Sequence, residues 1–470
     1  MPHHRLIILG AGTAGLSAWK QAGDFTDEIV MIDPGPLGTT CARVGCMPSK
    51  ALLQIAKEIH QARRLHENGL LTGQAAEVDG AAVMTRVREL RDRFTAGPLK
   101  AVDRMGERYI NGRARFTGPD CIEVNGETHS ADGIVAAIGT KPLVPGNWPD
   151  LGEQLLTSDS IFEMADLPRR VGVIGAGAIG CELGQALAML GCEVHLFGRD
   201  HRLAGTASDA VNEVIGQALS DSLHLHLGEN AEPVRLDDGV AIQVGDEQIE
   251  VDAVVAAIGR RPVIDDLGLE ALGVALNENG LPEIDPVSLR AGDAPVWFAG
   301  DINGIRPLMH EAADEGRLAA WHALHPDADC LGRRTPMAIV FTEPQVAWAG
   351  RRSGDLPDGA ITGQSDFSRQ GRAIIKGYQH GLMQIHAEEN GQLIGAEMAC
   401  AGAEHLAHEL AWLIQQEMHV IEALQLPFYH PVLEEGLRTA LHDIRRQLPE
   451  RERRPDLPLC DDAPASLPGT

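Results

Sequence analysis

With 470 residues, the chain exceeds what one ordinary core holds, so two to four domains are expected. A formal charge of −27 repels nucleic acid and anionic membrane, which argues against both as partners. Hydrophobic residues at 44%, 52 glycines and few aromatics suit an α/β enzyme rich in tight turns, not a fibrous or disordered chain.

The opening "MPHHRLIILGAG" enters a strand at once and leaves no room for a secretory signal. The longest apolar runs fall well short of the ~18 residues that span a bilayer. A soluble, cytoplasmic protein is expected. Gly10, Gly12 and Gly15 then form G-x-G-x-x-G between that strand and a helical run, the setting a dinucleotide-binding turn requires. The first glycine makes the turn, the second lets backbone approach a pyrophosphate, and the third lets helix and strand pack closely. Asp33 ends the next strand, where a carboxylate can hold ribose hydroxyls.

"GTTCARVGCMPSK" follows, with Cys41 and Cys46 four residues apart. Buried thiols, metal ligands and a redox disulfide are all open readings of such a pair. In a regular helix, residues i and i+5 lie about 8–9 Å apart at Cα, whereas a disulfide needs less than ~7 Å. The two can therefore pair only where the chain leaves the helix, and Gly45 supplies the freedom. Arg43 and the start of the following helix would favour a thiolate. Lys50 stands one turn beyond Cys46.

"GIVAAIGTKP", containing Gly139, is matched later by "AVVAAIGRRP", containing Gly259. Between them, Gly175, Gly177 and Gly180 repeat the strand–turn–helix pattern. The position equivalent to Asp33 is Gly198, followed by Arg199 and Arg202. Losing the acid and gaining cations favours a 2′-phosphate, hence NADP(H) over NAD(H). Two such units suggest FAD in one and a nicotinamide in the other, with the cysteine pair as electron acceptor. Beyond about Thr335 the pattern becomes α+β, and from Arg451 a loose tail is expected. No C-x2-C pair occurs among the eight cysteines, so a structural zinc site has little support.

Taken together, these features resemble the FAD-dependent pyridine nucleotide–disulfide oxidoreductases, from "GAGTAG" to "HPVLEEG". The resemblance implies two Rossmann-like dinucleotide-binding domains and a C-terminal α+β dimerisation domain. Residues 1–145 and 265–334 would bind FAD, 146–264 NAD(P), and 335–450 would form the interface, with 451–470 as the tail. It implies that Cys41 and Cys46 form the redox disulfide, Cys46 in charge-transfer contact with flavin and Cys41 attacking substrate. Lys50 would pair with Glu182 of "GCELG", and Asp301 of "AGDI" would hold the ribitol. In "YHPVLEEG", His430 would be the acid–base, oriented by Glu435 with Glu434 as rival, and would reach the disulfide of a second copy in a homodimer. Thr39, Arg43 and Val432 depart from the usual residues. The expected activity is dihydrolipoamide dehydrogenase-like. The alternatives are an NADPH-dependent reductase of another disulfide, such as glutathione, and a redox sensor without turnover.

Overall fold

The computed structural model describes residues 1–73, 77–329, 331–448 and 455–458. The chain divides into two compact units. The first comprises residues 1–169, 233–240 and 251–333; the second comprises 170–232, 241–250 and 334–470.

The first unit is built on β1 (His3–Leu9), α1 (Thr13–Ala22) and β2 (Ile29–Asp33). β1 lies between β2 and the long strand Glu127–Ala136, parallel to both, with Leu9 opposite Ile32 on one side and Ala136 on the other. Leu6 through Leu9 are all buried because both sheet faces are covered. Alternation along the strand sends Leu6 and Ile8 into one apolar cluster and Ile7 and Leu9 into another. The helix Met309–Leu324 meets α1 through small residues: a Cβ on Gly316 would stand 2.0 Å from the Ala14 carbonyl oxygen. Strand order reverses beside β1, and in open parallel sheets that reversal opens a ligand crevice beyond the strand C-termini. Gly10–Gly15 occupy that place.

The second unit contains the parallel strands Arg170–Ile174, Glu193–Gly198 and His224–Leu227, with the helix Ala178–Leu190 following the first. It also contains an antiparallel five-stranded sheet formed by Met337–Val340, Gln345–Gly350, Leu393–Cys400, Leu382–Ala387 and Ile361–Asp366. One apolar cluster packs that sheet against the helices Ala403–Gln415 and Glu435–Gln447. The fully buried Glu397 accepts hydrogen bonds from the Ala207 and Ser208 amides at 2.5 and 3.1 Å. This buried carboxylate ties residues of the 146–264 stretch to the C-terminal sheet. Of the expected tail, residues 451–454 and 459–470 lie outside the described residues. Asp456 within it pairs with Arg438, His442 and Arg445 of the last helix. Among the described residues, no helix is long and apolar enough to cross a membrane.

Candidate active site

The first glycine turn is tight enough that side chains are excluded. Gly10 has φ +99°, and a Cβ there would lie 2.4 Å from the Ala137 carbonyl oxygen. One on Gly15 would lie 1.8 Å from the Gly10 oxygen, whereas one on Gly12 would meet only the Ala137 oxygen, at 3.8 Å. Asp33 braces the turn, accepting from the Ala11 amide at 2.7 Å and the Gly35 amide at 2.6 Å. Each carboxylate oxygen keeps a second lone pair for a ligand. Asp301 opens a short 3-10 turn and receives the Thr140 hydroxyl at 3.3 Å. Burial raises its pKa, opposed chiefly by the nearby Arg260.

Cys41 and Cys46 stand on either side of a helix break. α2 (Thr40–Arg43) ends, Val44 and Gly45 turn, and α3 (Cys46–Glu67) begins. A Cβ on Gly45 would lie 3.2 Å from the Cys41 Cα and 3.0 Å from the Thr40 oxygen, so glycine permits the chain to fold back this closely. Both cysteines are thiols here, half-buried and hydrogen-bonded to each other. That bond to Cys46, then burial, raises the Cys41 pKa, while the charge of Lys50 opposes the shift.

At the second glycine turn, Gly175 has φ +113°, Gly177 caps the helix Ala178–Leu190, and Gly180 is buried within it. A Cβ on Gly198 would lie 2.9 Å from that of Ala176 and 2.8 Å from Leu227 Cδ2, so no acid fits without movement. Arg199 is exposed and has no ion-pair partner among the described residues. Arg202 is bound to Asp209 at 2.6 Å. Gly139 and Gly259 both take positive φ, +69° and +121°, with open space where a side chain would project. Glu182 is buried, and its carboxylate accepts from the Phe341 amide at 2.9 Å. It belongs to the second unit, and Lys50 to the first.

His430 precedes a cis proline and is exposed, with Nδ1 2.8 Å from Glu435 Oε1. The other oxygen of Glu435 accepts from the Val432 amide. The hydrogen bond to His430 holds the Glu435 pKa down, and its place in the first turn of Glu435–Gln447 puts the charge at the positive helix end. Glu434 is only the N-cap residue and makes no side-chain cap bond.

Two family models cover this framework: pyridine nucleotide-disulphide oxidoreductase over residues 4–316, and its dimerisation domain over 336–441. The chain belongs to this family. Dihydrolipoyl dehydrogenase of Halobacterium salinarum is 29% identical, covering 93% of this chain and 95% of its own. The Bacillus subtilis enzyme of that name is 28% identical, at 93% and 97% coverage. LpdA from Mycobacterium tuberculosis has TM-score 0.82 at 25% identity, covering 94% and 99%. The flavoprotein disulfide reductase RclA of Escherichia coli, at 20% identity and TM-score 0.81 over 94% and 99%, shares the fold.

Members of the pyridine nucleotide-disulphide oxidoreductases use FAD and a pyridine nucleotide, and are homodimers. The first glycine turn fits a dinucleotide: its backbone is bare where a Cβ on Gly10 or Gly15 would clash, and uncrowded at Gly12. Arg43 Nε is buried without a hydrogen-bond partner, a donor left over for a bound group. Reading the sequence missed the support beneath Asp301. Glu315, buried on Met309–Leu324, accepts from the Gly300 amide at 2.7 Å and from Asn303 at 2.8 Å, and pairs with Arg333. Glu311 and Glu315 at i, i+4 in "HEAADEG" were the available signal.

Proposed function

We propose that the chain exchanges electrons between a nicotinamide dinucleotide and a small disulfide or dithiol through Cys41 and Cys46, in the manner of a dihydrolipoyl dehydrogenase. The observation that carries this reading is the contact between the two thiols across the Gly45 break. Gly10, Gly12, Gly15, Asp33, Lys50, Gly139 and Asp301 would hold FAD. Gly175, Gly177, Gly180, Arg199, Arg202 and Gly259 would hold the nicotinamide dinucleotide. Bound FAD would supply the two-electron link between that dinucleotide and the cysteine pair.

The exchange itself would use residues of two copies of the chain. Cys41 gives its proton to His430 of the partner subunit, and its thiolate attacks one substrate sulfur. A Cys41–substrate bond forms, the substrate S–S bond breaks, and the leaving thiolate takes the proton back from the partner's His430. Cys46, as thiolate, then attacks the Cys41 sulfur and releases the second substrate thiol, which takes up the proton Cys46 lost. The substrate gains two electrons and the cysteines become a disulfide; a dithiol substrate runs the sequence backwards. The raised pKa of Cys41 is why a base is needed. Glu435 would orient His430 and stabilise its charged form. The exposure of His430 suits action on the disulfide of a second copy.

A second reading is an NADPH-dependent reductase of another disulfide, such as glutathione. The crowding at Gly198 and the unpaired, exposed Arg199 favour it. Anaerobic titration with NADH and with NADPH, then turnover with lipoamide, glutathione and other disulfides, separates the two. Oxidation of nicotinamide that depends on a disulfide eliminates a sensor without turnover. Retained turnover in Cys41→Ser would sink the mechanism.

A further inference from the structure

We propose that Glu193, His195 and His224 form a binding site for a divalent transition-metal ion of the zinc, nickel or copper(II) kind, separate from the cysteine pair. Glu193 and His195 lie two apart on the strand Glu193–Gly198 and so share a face. The parallel neighbour His224–Leu227 sets His224 beside His195, and His226 beside Phe197. The opposite face belongs to the core: Val194 and Leu223 line the space over Gly184 of the helix Ala178–Leu190.

One ligand atom from each of Glu193, His195 and His224 lies within 4.8 Å of the other two. Ligands about 2.0–2.1 Å from a tetrahedral ion are roughly 3.3 Å apart. Glu193 and His224 are exposed, so a small side-chain rotation closes the difference. His195 Nε2 already faces Glu193 Oε1 at 3.4 Å, while its Nδ1 is 3.0 Å from His226 Nε2. With His226 accepting the Nδ1 proton, the Nε2 lone pair points at a carboxylate, and a cation between them satisfies both. This is the outer-shell bond that fixes the tautomer of a metal-binding histidine. The stacking of His195 on His224 and His226, at 4.7 and 5.2 Å between ring centres, keeps the rings in register.

Two imidazoles and one carboxylate suit zinc, nickel and copper(II), and disfavour calcium and magnesium, which prefer an all-oxygen shell. The exposed side of the cluster leaves remaining coordination positions to water.

The test uses the full-length, flavin-loaded protein and zinc alone, titrated against a chromogenic chelator. The parent is expected to hold one more equivalent of zinc than His224→Ala. Glu193→Gln should bind that equivalent at least roughly tenfold more weakly, and His226→Gln several-fold more weakly through the lost tautomer lock. Both His224 and Glu193 are exposed, so the fold tolerates their loss. Zinc held by the Cys41 and Cys46 thiols survives in all three variants and so does not count towards the difference. Equal stoichiometry and affinity in the parent, His224→Ala and Glu193→Gln would overturn the site.

Discussion

His386 should make the C-terminal sheet sensitive to acid. It sits in Leu382–Ala387 with 1% of its surface exposed, Nδ1 2.9 Å from Thr362 Oγ1. Its Nε2 is buried without a hydrogen-bond partner among the described residues. Burial lowers its pKa from 6.5 to about 4, against the opposing charge of Glu397. An unfolded chain therefore binds a proton below pH 6.5 that the folded sheet refuses until about pH 4. Stability from the neutral imidazole is complete above pH 6.5 and is lost as pH falls through that window. At ~1.4 kcal/mol per pH unit, the full loss is about 3 kcal/mol, of which about 2 kcal/mol is gone by pH ~4.5. His386→Gln keeps a polar partner for Thr362 but does not titrate. Hydrogen–deuterium exchange of peptides spanning Leu382–Ala387 and Leu393–Cys400, corrected for intrinsic rates, measures the difference at the two ends of the window. The parent should lose about 2 kcal/mol more opening free energy than the variant between pH ~7 and ~4.5. Parallel loss in the two proteins would refute the reasoning.

Gly15→Ala places a Cβ 1.8 Å from the Gly10 carbonyl oxygen, so the turn must open; flavin retained on purification should fall sharply, and unchanged flavin absorbance would remove this turn from the FAD site. Glu435→Gln keeps the hydrogen bond to His430 but removes the charge that stabilises its imidazolium. Disulfide turnover should drop roughly ten- to a hundredfold while flavin reduction by nicotinamide is unaffected; stopped-flow absorbance separates the two steps. Arg199→Ala should raise KM for NADPH by about tenfold and leave NADH unchanged, since only the former carries a 2′-phosphate for the guanidinium. Equal effects on the two nucleotides would leave Arg199 without a role in choosing between them.

Both glycine turns were legible because their requirement is local: a positive φ and a close backbone approach admit one residue type, and flanking strands and helices announce themselves by apolar runs. The helix break between the cysteines was legible for the same reason, since Cα geometry alone forbids pairing at i, i+5 within a helix. Long-range support was not. The Glu315 contacts that hold the Asp301 turn join residues 12 to 18 apart, and Glu397 reaches 190 residues back to Ala207; neither leaves a periodic trace. Thr39 lies between these cases. It departs from the usual glycine, yet its φ of +60° is the left-handed backbone that glycine would have eased. Its hydroxyl accepts the Ala42 amide at 3.1 Å, capping α2. A cap of this kind contributes about 1 kcal/mol, comparable to the strain of a left-handed non-glycine residue. The substitution is therefore close to neutral for the fold, and it trades backbone freedom beside Cys41 for a fixed helix start. Arg43, one turn on, replaces a smaller polar residue with a guanidinium whose Nε is buried and unpaired. Strain and an unsatisfied donor within five residues of one another are concentrated at the proposed reacting thiol, where departures from the family pattern have most leverage over which disulfide is accepted.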